Sequence, residues 1–178
     1  AGDATKQALE SCPVGGIIYF SQNIKDAEQL KNMISATQSY SKTPLFIAVD
    51  EEGGRVARLG NAGLYEPKIE PMAQIGASGN TDKAAAVGEK LGENLKKFGF
   101  NVDFAPVADV ITVANNEDIG DRSFGKDPKI VADMVAAEVK AMQDTGVSAT
   151  LKHFPSNGSI EENTHKSAGV CTRTYEQM

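Results

Sequence analysis

Positive charge is in short supply: 18 Lys and Arg stand against 24 Asp and Glu, a formal net charge of −6. A nucleic-acid partner is therefore excluded, because neutralising phosphates takes clustered Lys and Arg. No apolar run approaches the ~18 residues that a membrane span requires. Cysteine is scarce, with only Cys12 and Cys171 at opposite ends of the chain. There is no CxxC spacing, so a disulfide scaffold is excluded and a zinc site is unsupported. The two thiols can pair if the termini meet, but two unpaired thiols are the simpler expectation. Residues 1–11 lack the basic start and apolar core of a signal peptide. With no initiator Met, the chain reads as a trimmed, processed or proteolytic piece, and its localisation stays open. Length is short in one particular sense. The 178 residues suit one domain but fall below the ~250 of a complete (β/α)8 barrel. The balance of 40% apolar and 24% charged residues is that of an ordinary globular domain, not a disordered or collagen-like chain.

What is present alternates between strand and helix signals. Val14–Phe20 and Leu45–Val49 are continuous apolar runs, as expected of strands buried on both faces of a parallel sheet. Residues 25–40 carry apolar side chains at helical spacing. Residues 50–71 are rich in Gly and Pro and read as a long loop. Thr81 is the expected N-cap of a helix to Phe98, which Gly99 stops. A strand follows at 101–106, then a polar loop to 126. A helix starts near Pro128 and ends before Gly146, and a strand occupies 147–151. A third long loop covers 152–170, and Thr172 is expected to cap a last helix running to Met178. The order is α/β with right-handed crossovers. A doubly wound sheet and a barrel both fit. The missing GxGxxG and P-loop patterns favour the barrel, as does the placement of every polar, Gly-rich segment after a strand.

Three of those segments carry unusual clusters. In Asp50–Arg58 (DEEGGRVAR), Asp50 ends a buried strand, where a carboxylate can accept from vicinal sugar hydroxyls. The plainer alternative is an acidic turn whose Arg residues pair with Glu51 and Glu52. In Ile119–Gly125 (IGDRSFG), Arg122 suits a guanidinium that grips a carboxylate or a hydroxyl pair, or a local bridge to Asp121. In 152–165, Lys152 and His153 are natural donors to hydroxyls, and His165 can serve as a general acid or base. The alternative is a structural His153 and a surface His165. The two histidines with Glu161 and Glu162 also permit a metal site, although no spacing of a known metal type supports one.

Together the clusters resemble glycoside hydrolase family 3, in particular its bacterial β-N-acetylglucosaminidase branch. Ala48–Arg58 fits the pattern AVD-x-EGGRV-x-R without a mismatch, and GGIIYFSQNI at 15–24 is similar to GGIILF-x-RN. NVDFAPVADV, IGDRSFGKDP and LKHFPSNG resemble DLSFAPVLDV, IGDRAFG-x-DP and KHFPGHG, in family order. Asn163–His165 falls on the family's D-x-H, with Asn163 where the pattern has Asp. The resemblance implies retaining hydrolysis of terminal N-acetyl-β-D-glucosamine, notably from cell-wall fragments. It implies a carbohydrate partner and no cofactor. By motif position, Asp50, Arg58, Arg122, Lys152 and His153 bind the sugar, and His165 with Asn163 forms the acid/base pair. The Asp nucleophile belongs on a later strand. The chain is thus expected to be a single partial barrel domain over 1–178, with about four βα units. It should be inactive alone and prone to self-association through exposed sheet edges. A sugar- or muropeptide-binding module that has lost catalysis is the competing expectation.

Overall fold

A computed structural model describes residues 1–177. Helix α1 (Asp3–Ser11) precedes strand β1 (Gly16–Tyr19), α2 (Ala27–Tyr40) and β2 (Phe46–Val49). A small hairpin, β3 (Glu51–Gly53) and β4 (Val56–Ala57), then leads into the short helices α3 (Arg58–Asn61) and α4 (Met72–Ala77). Helix α5 (Thr81–Phe98), β5 (Val102–Asp103), α6 (Pro128–Asp144) and β6 (Ser148–Ala149) complete the regular elements.

Four strands form one parallel sheet in the order β1-β2-β5-β6. The α/β class and the parallel pairing expected from the apolar runs are therefore observed. Alternate strand residues such as Tyr19, Ile47 and Val49, with Val147 just before β6, face the helices and enter a continuous core with Leu30, Leu91 and Met142. The opposite face is open. A trough there is lined by Gly16, Ile18, Phe46, Val102, Phe104 and Thr150, and Phe46 is 64% exposed. Among the described residues, β1 and β6 each pair on one side only. No described helix is long and apolar enough to cross a membrane.

Helix α5 shows how sequence positions these layers. Its inward stripe includes Ala84, Val87, Leu91, Leu95 and Phe98, spaced three or four apart. Gly99 at φ 98° ends it, with Phe100 N–H donating to the Leu95 carbonyl. Gly88 and Gly92 lie where α5 meets α6. A Cβ on Gly88 would sit 2.2 Å from the Glu138 carbonyl oxygen, a backbone atom that cannot swing away. Gly88→Ala is therefore expected to cost about 2–3 kcal/mol by forcing the helices apart. Urea denaturation of the purified variant reads this, and an unchanged midpoint would show that the interface yields freely.

The structure corrects several expectations. The cap of α5 is Asn80, whose side chain accepts from Asp82 N–H, and Thr81 is already helical. Asn is as good a cap as Thr, and it sits one residue earlier, beside the turn at Gly79. Helix α6 starts at Pro128, as expected, and Asp127 caps it. The 50–71 loop contains a hairpin and a helical turn, held by the buried Glu51 carboxylate. That carboxylate accepts from Leu59 N–H (2.6 Å), Gly60 N–H (3.0 Å) and Tyr65 O–H (2.6 Å). Helix α1 is an addition. Its sequence is polar, only Leu9 is buried, and no apolar stripe announced it. At the other end, the expected last helix is a single 3-10 turn at Tyr175–Gln177, and its end at Met178 lies outside the described residues. Cys12 and Cys171 are both unpaired.

Candidate active site

The parallel strands all end on one side, and the segments leaving those ends converge there. Asp50 follows β2 directly, and Glu52 lies in β3. Arg58 opens α3, Arg122 closes a 3-10 turn at Gly120–Arg122, and Lys152 and His153 follow β6. The five residues expected to bind a ligand thus form one cluster, although 102 positions separate Asp50 from Lys152.

Within it, Lys152 Nζ lies 2.7 Å from Asp50 Oδ1 and 2.5 Å from Glu52 Oε1. Arg58 reaches the other Asp50 oxygen at 3.5 Å. Arg122 donates through Nε and a terminal nitrogen to the two Glu52 oxygens, both at 2.8 Å. This fork-to-fork pair leaves Glu52 only 1% exposed. Burial works against the Arg122 charge, but the Glu52 carboxylate outweighs it and raises the guanidinium above its ordinary range. Arg122 therefore reaches past Asp121 to Glu52. Asp121 is instead taken by Arg55, 66 positions earlier, at 2.9 Å, and Arg55 also donates to the Glu117 and Asp118 carbonyls.

His153 packs beside Arg122, its Nε2 3.4 Å from a guanidinium nitrogen. Its Nδ1 lies 2.5 Å from Asp109 Oδ2. His165 stands apart on the 161–170 segment. It is 81% exposed, with Nε2 3.9 Å from Asp118 Oδ1. Asn163 Oδ1 accepts from the His165 backbone N–H at 2.9 Å, which turns the amide toward its own loop and not the imidazole. Asp118 in turn lies 3.9 Å from Arg122, so one carboxylate links the outer histidine to the cluster. His153 and His165 do not converge with Glu161 and Glu162. Among the described residues, no three His, Cys, Asp or Glu side chains are placed to hold a metal.

The sequence signature of the Glycosyl hydrolase family 3 N terminal domain matches residues 2–178. The chain belongs to glycoside hydrolase family 3. A β-hexosaminidase of Stenotrophomonas maltophilia is 34% identical over 176 residues, which cover 96% of this chain and 51% of that protein. The family 3 β-N-acetylglucosaminidase of Paenibacillus sp. FPU-7 superposes with a TM-score of 0.86 at 35% identity, over 93% of this chain and 32% of that one. NagZ of Neisseria gonorrhoeae, solved with N-trifluoroacetyl-D-glucosamine, superposes equally well (TM-score 0.86) at 30% identity, over 98% of this chain and 52% of its own. The chain thus spans about half the length of that S. maltophilia relative.

Family 3 membership does not by itself reveal which other groups matter in this chain. Sequence reasoning passed over Asp109 as a site residue. It is a lone acid inside the apolar segment VADV, where burial of a carboxylate demands donors. Asp103 and Glu138 were missed as well. Both are buried, and Asp103 Oδ2 and both Glu138 oxygens lack a partner. A sequence signal existed for Glu138, because it occupies an inward position of α6 between Met134, Val135 and Met142.

Proposed function

We propose that this chain is the sugar-gripping portion of a retaining glycosidase that releases terminal N-acetyl-β-D-glucosamine from glycosides or cell-wall muropeptides. One observation carries the reading. Asp50, Arg58, Arg122, Lys152 and His153 meet where the strands end, and together with Glu52 their charges largely answer one another. Such a cluster offers alternating donors and acceptors with little net charge to spare. An uncharged polyol, whose hydroxyls donate and accept at once, suits it better than an anion. The β-hexosaminidases and NagZ that the chain is similar to agree with that chemistry.

In this reading Asp50 and Lys152 share vicinal hydroxyls, Arg58 and Arg122 hold the carboxylates in place, and His153 accepts from a further hydroxyl. His165, on its exposed segment with Asn163, moves in to protonate the leaving oxygen and then activates water. The attacking carboxylate comes from outside these 178 residues, since Asp50 and Glu52 are committed to cations. Residues 1–178 act as one partial (β/α)8 domain of about four units. The open trough and the exposed Phe46 and Leu151 support this. Uncovered, that face and the strand edges draw copies of the chain together.

A second reading has its own observation. Asn163 replaces the family's Asp, and its amide does not face the His165 ring. A binding module with a degraded acid/base pair would look the same at the grip. Calorimetry with N-acetylglucosamine and an N-acetylglucosamine-containing muropeptide tests the grip. Binding is expected, and Asp50→Ala should abolish it. A nitrophenyl N-acetylglucosaminide assay tests catalysis, with no turnover expected of the 178-residue chain. Absence of binding at millimolar sugar would sink the grip, and clear turnover would refute the outside nucleophile.

A further inference from the structure

We propose that Asp109 is a positioning residue that locks His153 in the Nδ1–H tautomer, holding its Nε2 lone pair open toward the grip. The role of that lone pair rests on the sugar reading above. The tautomer does not.

Asp109 follows β5 by six residues, and its side chain is fully buried. Five donors converge on it. Oδ2 accepts from the His153 backbone N–H (3.2 Å) and faces His153 Nδ1 (2.5 Å). Oδ1 accepts from Ser156 Oγ (2.8 Å), Asn157 N–H (2.6 Å) and Gly158 N–H (3.2 Å). Burial alone would push this carboxyl up, but the bonds from His153, Ser156 and Asn157 outweigh it and hold the group below its ordinary range. An ionised carboxylate only accepts, so Nδ1 must carry a proton. On the other side of the ring, Nε2 faces an Arg122 nitrogen, and guanidinium only donates. Nε2 is therefore the bare nitrogen. At 3.4 Å the arginine engages it loosely, which leaves the lone pair for a ligand hydroxyl.

Asparagine at 109 would reverse this arrangement. Three donors on the Oδ1 side require the amide oxygen there, so the amide NH2 must turn toward His153. A ring nitrogen facing NH2 has to accept, which moves the ring proton to Nε2. It then points at Arg122, donor against donor. The same logic explains why an Asp-to-Asn change behind a catalytic histidine leaves the geometry intact but the tautomer wrong.

The chain has only two histidines, so long-range proton–nitrogen NMR of uniformly labelled protein in mildly alkaline buffer reads His153 directly. Exposed His165 serves as the internal reference. The parent chain should show a single Nδ1–H tautomer at His153. Asp109→Asn should shift it to Nε2–H and weaken N-acetylglucosamine binding about tenfold, the scale of one mispaired buried group. Ser156→Ala, which removes one donor but keeps the carboxylate, should retain the parent tautomer. A mixed or Nε2–H tautomer in the parent overturns the assignment even if Asp109→Asn fails to fold. An unchanged tautomer in a folded Asp109→Asn overturns it as well. Absence of sugar binding by a parent chain with the expected tautomer overturns the sugar reading and leaves the assignment supported.

Discussion

Arg122→Met is expected to lower the melting temperature by about 6–12 °C and to remove the proposed N-acetylglucosamine binding in the same variant. The stability loss comes from Glu52. That carboxylate is 1% exposed and accepts on both oxygens from the arginine fork. Removing one partner of a buried ion pair costs about 3–5 kcal/mol, because the other charge stays buried. Lys152 remains 2.5 Å from Glu52, so the lower end, about 3 kcal/mol, applies. In a domain of this size each kcal/mol moves the midpoint by about 2–4 °C. Arg122→Lys should recover only part of the loss, since an ammonium cannot reproduce two parallel bonds. The double variant Arg122→Met with Glu52→Gln should regain stability without regaining binding. Scanning calorimetry with a sugar titration separates these outcomes. A single Arg122→Met variant as stable as the parent would show that Lys152 alone neutralises Glu52.

Glu138→Leu should act in the opposite direction, and its effect should grow with pH. Burial, followed by the nearby Glu52 charge, pushes the Glu138 carboxyl up to about 8 from 4.5. Neither oxygen has a partner. Below pH 4.5 the group is protonated in the folded and unfolded chains alike, and it adds no pH dependence. Between 4.5 and 8 only the folded form keeps the proton. Unfolding then releases one, and stability falls as pH rises through that window. Above 8 the loss is complete. Leucine removes the linkage, so the gap between variant and parent should widen from pH 4.5 to 8. It should reach on the order of a few kcal/mol. Asp103 is also raised, by burial first, with the Glu51 and Glu138 charges adding to it, so the parent curve slopes for two reasons. The difference curve reads Glu138 together with its coupling to Asp103. Parallel curves for variant and parent would mean that the carboxyl is already hydrated or paired.

Much of this molecule was legible in its sequence. The runs at 14–20 and 45–49 announced parallel strands, because nothing polar interrupts them. The expected burial on both faces is not observed, since one face of the sheet is open. Gly99 and Pro128 marked helix boundaries through conformations that few other residues supply. The clustering of the five proposed grip residues was legible because each lies in a distinctive motif within a segment that leaves the sheet. What escaped notice depends on partners far away in sequence. Asp109 looks like any loop acid until residues 153–158 fold onto it. Arg122 beside Asp121 suggested a local bridge, yet its better partner lies 70 positions earlier, where Glu52 presents two oxygens at once. Helix α1 escaped because a single buried leucine leaves almost no periodic trace.

The sheet order has a consequence for how the molecule is made. Each strand docks beside the one before it, β1, β2, β5, then β6, so no strand must wedge between two that are already paired. A chain emerging from the ribosome can lay down this scaffold in the order of its synthesis, N-terminal end first. The grip follows a different schedule. Its closing contact joins residues 102 positions apart, and the loop entropy of that closure comes due only when Lys152 has been made. The growing chain therefore answers Asp50 first through Arg58 and Glu52 later through Arg122, and Lys152, just past β6, ties the two carboxylates together last.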